Sequence, residues 1–433
     1  MQVHDRAAIL SIGDELAIGQ SLDTNAMWLA DRLTAMGIRI VEHRTIADDC
    51  AGITAALTEL AARVPVVVAT GGLGPTADDL TRRALADAMG ESLVEDAAAL
   101  RTLEELERAR NRTLTPERRS QALRPASASC IANSTGSAPG LAAQVGACAV
   151  FCLPGPPREM HPMFDAVVVP ALHPPAGRVV RTRILRTFGL PESDVAARLG
   201  DLMRRDANPL IGTTASGGIV SIRIRAEGEA AWADAAMQES EAEARAAAGE
   251  FVFAEGEVAL AAAVLDLLRA KDETVVVAES CTAGLLGSMI GAIAGASDCF
   301  FGGWITYANS MKYAALGVPM DQLDGPPGAV SKQTARAMAL GALHEHPPAH
   351  HALAVTGIAG PTGGSKEKPV GTVCIARASR HEADEHPRVD VREFLISGDR
   401  DDVRERAAIT ALGMLWHHLA HGNTPRLVWQ IGP

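Results

Sequence analysis

Short apolar runs alternate with polar loops and amphipathic stretches along most of the chain. Residues 7–12, 39–46 and 64–70 read as strands, and 26–36, 51–62 and 80–89 as helices with one apolar face. Strand and helix in strict alternation imply a parallel sheet with helices on both faces. The last third repeats the plan: a helix over 258–270, a β-branched strand over 274–277, a helix over 285–293, and strands at 300–307, 352–355 and from 369 onward. The middle differs. Residues 178–188 alternate apolar and basic, Ser216-Gly-Gly218 separates two strand-like runs as a hairpin signal, and 230–248 is a long Ala- and Glu-rich helix. The stretch 91–124 is charged and helical and carries no catalytic pattern. The expected fold is α/β: two doubly wound three-layer domains, 1–174 and 255–433, joined by a small α+β domain over 175–254 that begins at Pro174-Pro-Ala-Gly177.

Composition narrows the function classes. A chain of 433 residues exceeds one typical core, and 47% apolar with 3% aromatic content suits large aliphatic cores. A net charge of −12 argues against nucleic acid as the main partner but not against a small anion held by backbone amides. Seven cysteines without zinc-type spacing suggest reduced thiols and a cytoplasmic setting. The first residues lack the plan of a signal peptide, and no apolar stretch is long enough to span a bilayer.

Candidate chemistry gathers in small-residue loops after strands, where open α/β sheets bind ligands. In Ala278-Glu-Ser-Cys-Thr-Ala-Gly284, Ser280 stands between strand and helix, where it could attack an acyl carbon while helix amides receive the oxyanion. The competing reading makes Ser280 a helix cap, and Cys281 is a rival nucleophile. No histidine is near in sequence, so Lys312 is the candidate base, with Tyr307 and Asn309 to relay or position. The loop Thr356-Gly357-Ile-Ala-Gly360-Pro-Thr-Gly363-Gly364 resembles a phosphate nest. In the first third, Gly71, Gly72, Gly74 and Thr76 form a similar loop ahead of Asp78 and Asp79, joined by Asn133, Ser137, Gly155 and Glu159 from later loops. Glu15, Asp78, Asp79 and Glu159 would supply hard oxygen ligands for a divalent metal, Mg²⁺ by preference. His417 and His421 are four apart on the last helix, without the Glu of a metalloprotease motif.

Ser11-Ile-Gly-Asp-Glu-Leu, Asp23-Thr-Asn, Thr70-Gly-Gly-Leu-Gly-Pro-Thr-Ala-Asp-Asp and Leu153-Pro-Gly-Pro-Pro-Arg-Glu-Met resemble the CinA (competence/damage-inducible) family, as do Ala278-Glu-Ser-Cys-Thr, Tyr307-x-Asn-x-x-Lys312 and Thr356-Gly-x-Ala-Gly-Pro-x-Gly-Gly364. The resemblance spans nearly the whole chain. It implies a molybdopterin-binding-like first domain with metal-dependent ADP-ribose pyrophosphatase activity, and a C-terminal nicotinamide-nucleotide amidase that needs no cofactor. On that match Ser280 attacks the carboxamide of nicotinamide mononucleotide, Lys312 takes its proton, and amides at Ser280, Cys281 and Thr282 hold the oxyanion. Glu279, Asn309 and the Thr356–Gly364 loop would bind substrate. Ala283 departs from the family pattern, where a second Gly is usual. The middle segment resembles a KH-type domain but lacks a Gly-x-x-Gly loop between helices, which favours a spacer or homodimer contact over RNA binding. The alternative functions are a non-catalytic molybdopterin-type cofactor-binding protein or a regulator of competence or damage responses.

Overall fold

The computed structural model describes residues 2–380 and 386–432. It divides into two compact units, Met1–Arg181 with Glu227–Asp234, and Thr182–Ala226 with Ala235–Pro433.

The first unit is built on β1 (Arg6–Ile12), β2 (Arg39–Ile46) and β3 (Val66–Thr70), a small pair β4 (Leu93–Glu95) and β5 (Leu123–Pro125), then β6 (Ser129–Ile131), β7 (Gly140–Val145) and β8 (Cys148–Leu153). The main sheet runs β2-β1-β3-β8-β7-β6. Side chains alternate across a strand, so Ile9 and Val68 face helix Thr24–Ala35, while Leu10 and Val67 face helices Cys50–Arg63 and Thr81–Met89. That alternation splits an all-apolar strand between two cores and makes three layers. The carboxyl ends of β1, β3 and β8 release the loops of the candidate site along one edge.

The middle sheet comprises β9 (Arg178–Phe188), β10 (Leu210–Ser216), β11 (Ile219–Glu229) and β12 (Val252–Glu255), in the order β10-β11-β9-β12. Gly217 and Gly218 both have positive φ, as a two-residue hairpin turn requires.

The third sheet has β13 (Val275–Glu279), β14 (Phe300–Ile305), β15 (His351–Gly357), β16 (Thr372–Ser379), β17 (Arg388–Leu395) and β18 (Gln430–Ile431), ordered β14-β13-β15-β16-β17-β18. Val275 and Val277 pack on one core with helices Leu260–Lys271 and Arg400–His421; Val276 and Ala278 pack on the other with helix Lys332–Glu345. This is the doubly wound plan with one difference from the sequence expectation. Only β14, β13 and β15 are parallel. Residues 358–371 return β15 to β16 as a loop with no crossover helix, and the two strands pair antiparallel. The first sheet turns antiparallel at β7 for the same reason. All seven cysteines are free. Among the described residues no helix is long and apolar enough to cross a membrane.

Candidate functional site

Ser280 follows β13, its amide donating to Val355 O at 2.9 Å, and is 8% exposed. It is not a helix cap: the helix is Leu285–Gly291 and its cap position is Gly284. Nor do the helix amides await an oxyanion. The Glu279 carboxylate accepts from Gly284 N–H (2.9 Å), Leu286 N–H (3.1 Å) and Gly287 N–H (2.8 Å). This corrects two expectations. Glu279 holds the helix start rather than substrate, and the nearest amides to Ser280 that among the described residues no backbone carbonyl takes are those of Cys281 and Thr282, which lean on the Cys281 sulfur. The Cys281 side chain lies in the core under Gly357, where a Cβ would come within 3.1 Å of its sulfur. Burial pushes its thiol up to about 12, so it stays protonated and is a poor nucleophile. Thr282 is fully buried, and among the described residues its hydroxyl has no hydrogen-bond partner.

Lys312 comes to the same place through β14. Thr306 N–H donates to Glu279 O at 2.7 Å, and the Lys312 amine donates to Thr306 O at 2.9 Å and Tyr307 O at 3.0 Å. The amine thus sits at the strand end beside the Ser280 turn. Lysine 312 is 1% exposed, and burial holds its amine below the usual lysine range. No hydrogen bond joins it to Ser280 in this structure; such bonds often tighten only around substrate. Tyr307 contributes its carbonyl to the amine, but its side chain is 55% exposed and its hydroxyl is bound by Arg400 at 2.8 Å. It is therefore not placed as a proton relay from Lys312. Asn309 donates to Leu323 O (3.5 Å) and Asp324 (3.2 Å), tying two short helices together.

The Thr356–Gly364 loop borders the turn but is largely self-engaged. Thr356 Oγ1 donates to Ala329 O at 2.8 Å, and a Cβ at Gly360 or Gly364 would meet Val370. These glycines are required by packing. Gly357 is required by the β16 backbone and Cys281, whereas a Cβ at Gly363 would have room. The last helix brings arginines to this edge, of which the sequence reading did not single out Arg400. Arg400 donates to Gly360 O at 2.6 Å and to the Tyr307 hydroxyl, and Arg404 reaches Thr282 O at 3.2 Å. The Asp399 capping box, readable in Gly398–Asp402, starts the last helix and aims its first turn here. His417 and His421 hold no metal geometry: their rings face Phe188 O and Glu250 O, and burial lowers His417 to about 4.

In the first unit a cavity of about 630 Å³ gathers Glu15, Gly71, Gly72, Gly74, Thr76, Asp78, Asp79, Ser137, Gly155 and Glu159. Asn133 stands behind it, donating to Glu159 at 2.7 Å and Ala138 O at 2.9 Å. The metal set needs correcting. Asp79 accepts from Gly74 N–H (2.7 Å), Thr76 N–H (2.8 Å) and the Thr76 hydroxyl, so it shapes the glycine loop. Glu159 is engaged by Asn133. Among the described residues no three His, Cys, Asp or Glu form a metal cage. Glu15 and Asp78 remain on the wall beside Asp48, whose carboxyl is raised by burial and then by the charges of Asp14, Glu15 and Asp78. Asp48 and Asn25 were missed as site residues. Asn25 donates to Thr70 and Gly155 O, and its buried Oδ1 has no partner among the described residues.

Comparison with known proteins bears on the whole chain. Residues 257–419 match the CinA C-terminal domain, 8–174 the probable molybdopterin binding domain, and 182–254 the damage-inducible protein CinA KH domain. A CinA-like protein of Geobacter sulfurreducens is 42% identical over 96% of this chain and 99% of its own. A putative competence-damage inducible protein of Symbiobacterium thermophilum is 41% identical over 95% and 98%. Among solved structures, a CinA protein of unknown function from Thermoplasma acidophilum is 32% identical, covering 39% of this chain and 98% of its own with a TM-score of 0.37.

Proposed function

The chain belongs to the CinA family, and from that premise we propose that its C-terminal segment hydrolyses the carboxamide of nicotinamide mononucleotide to nicotinate mononucleotide and ammonia. The observation that carries this reading is the Lys312 amine: buried, held by two carbonyls, and lowered in pKa beside the Ser280 turn. A neutral amine can accept the Ser280 proton as the hydroxyl oxygen bonds to the carboxamide carbon. The carbonyl oxygen, now negative, meets the Cys281 and Thr282 amides. Lys312 returns the proton to nitrogen as the C–N bond breaks and ammonia leaves. Water then attacks the acyl ester, giving its proton to Lys312, and the acid departs with Ser280 restored. The Arg400 guanidinium offers charge to the phosphate. Ammonia release from nicotinamide mononucleotide by the full chain tests the reading; Ser280→Ala should remove it. A Ser280→Ala protein that still releases ammonia at the natural rate sinks the proposal.

A second activity, metal-dependent cleavage of the diphosphate of ADP-ribose, is supported by the cavity with its glycine loop and acids. Glu15 and Asp78 would hold a divalent cation together with phosphate oxygens, since Mg²⁺ is usually bound by one or two carboxylates plus substrate. When bound, the cation neutralises charge on the diphosphate. Release of AMP from ADP-ribose only when a divalent metal is added is the expected outcome.

A further inference from the structure

The start of helix Thr81–Met89 grips the glycine loop through four successive carbonyls. Thr81 Oγ1 donates to Gly71 O at 2.9 Å, Thr81 N–H to Gly72 O at 3.2 Å, and the two terminal nitrogens of Arg82 to Leu73 O and to Gly74 O at 3.3 Å. In a planar trans peptide the N–H points opposite to the C=O. With the carbonyls of Gly71 and Gly72 pinned toward the helix, the N–H groups that follow, on Gly72 and Leu73, turn away from it. Both residues line the 630 Å³ cavity, and among the described residues neither N–H has a hydrogen-bond acceptor. The Gly74 and Thr76 amides are already taken by Asp79.

Arg82 is an unusual residue for such a place. It is 5% exposed, its Nε has no partner, and no carboxylate is ion-paired with it among the described residues. Burial pushes its guanidinium down to about 10, with the Asp79 charge acting the other way. A buried cation held only by carbonyls is costly unless it serves its surroundings. Its planar fork reaches two consecutive carbonyls, which a lysine ammonium cannot match in geometry.

We propose that Thr81 is a positioning residue that presents the Gly72 and Leu73 amides to a phosphate oxygen of a diphosphate ligand, with Arg82 holding the next two carbonyls of the loop in place. The inference rests on the reading of this cavity as a diphosphate site and orients the ligand within it. The phosphate would sit at the glycine-loop end, and Glu15 and Asp78 would hold the cation.

The test titrates the full chain with inorganic pyrophosphate and measures ADP-ribose turnover for Arg82→Lys, Arg82→Met and Thr81→Val, each with its melting temperature. Loss of phosphate anchoring is expected to weaken pyrophosphate binding and raise KM about tenfold or more in folded variants, with kcat changed far less. Arg82→Lys should lie between the natural chain and Arg82→Met. Thr81→Val is the deciding variant, because it removes only the hydroxyl grip on Gly71 O that sets the Gly72 amide; the Arg82 variants test the support of the rest of the loop. Folded variants that bind pyrophosphate as the natural chain does, with only a lower melting temperature, overturn the proposal and leave the diphosphate reading standing. A natural chain that binds neither pyrophosphate nor ADP-ribose overturns that reading, and the positioning role falls with it.

Discussion

A neutral amine has two N–H donors and one lone pair, and at Lys312 two carbonyls accept hydrogen bonds. The lone pair is then the remaining valence for the Ser280 proton. Burial disfavours the ammonium, so the folded value lies below the ordinary 10.5. Ammonia release should rise with pH through that lowered value and level off above it, and Lys312→Arg should be inactive across the range because a guanidinium does not deprotonate. A rate that falls with rising pH below 10 in the natural chain would exclude Lys312 as the base. The same shift acts on stability. Between the folded value and 10.5 the unfolded chain binds the extra proton, so stability rises with pH through that window and is lost as pH falls through it. Ala283 offers a separate test. Its φ of +49° lies in the left-handed region, which costs a residue bearing a Cβ about 1–2 kcal/mol. Ala283→Gly should raise the urea midpoint by a fraction of that, since glycine also loses more freedom on folding. A lowered midpoint would mean that the methyl packs.

At the scale of elements, the turn after β13 owes its shape to Glu279. One carboxylate accepting three helix amides makes the helix start dependent on a residue five positions ahead of its cap. Glu279→Gln replaces one accepting oxygen by a donor facing other donors. It should cost about 1.5–3 kcal/mol, seen as a lower denaturation midpoint, with ammonia release falling alongside. If stability holds while turnover falls, Glu279 contacts substrate after all. This role was not legible in the sequence, because capping signals are read at the cap and three residues beyond. The strands were legible because runs such as Val275–Ala278 bury both faces. The glycine loops were legible as loops. Which of their glycines serve a ligand and which merely admit Val370 was not, since that depends on a strand entry reached only through the fold. Lys312 and Ser280 were legible as residues of interest through family motifs; the carbonyls that hold the amine carry no side-chain signature.

At the scale of the molecule, four apolar clusters among the described residues each draw their residues from one unit only. Part of the middle segment packs with the last third: Phe188, Ile219 and Phe253 lie in the same cluster as Leu412, Trp416 and Leu419 of the last helix. Gly413 makes room there, because a Cβ at that position would overlap the Phe188 ring. The sequence boundary near residue 254 marks a change of pattern, not an end of packing, and composition could not reveal it. Phe188→Ala should therefore cost about 3–5 kcal/mol in the unit that carries Ser280 and Lys312. The glycine-loop cavity, whose walls rest on the other two cores, should not feel it. Heating the variant should abolish ammonia release from nicotinamide mononucleotide at a lower temperature than in the natural chain. AMP release from ADP-ribose should be lost at the same temperature in both. Equal shifts in the two inactivation temperatures would mean that the units unfold as one, and the two proposed activities would then have to be tested as a single cooperative system.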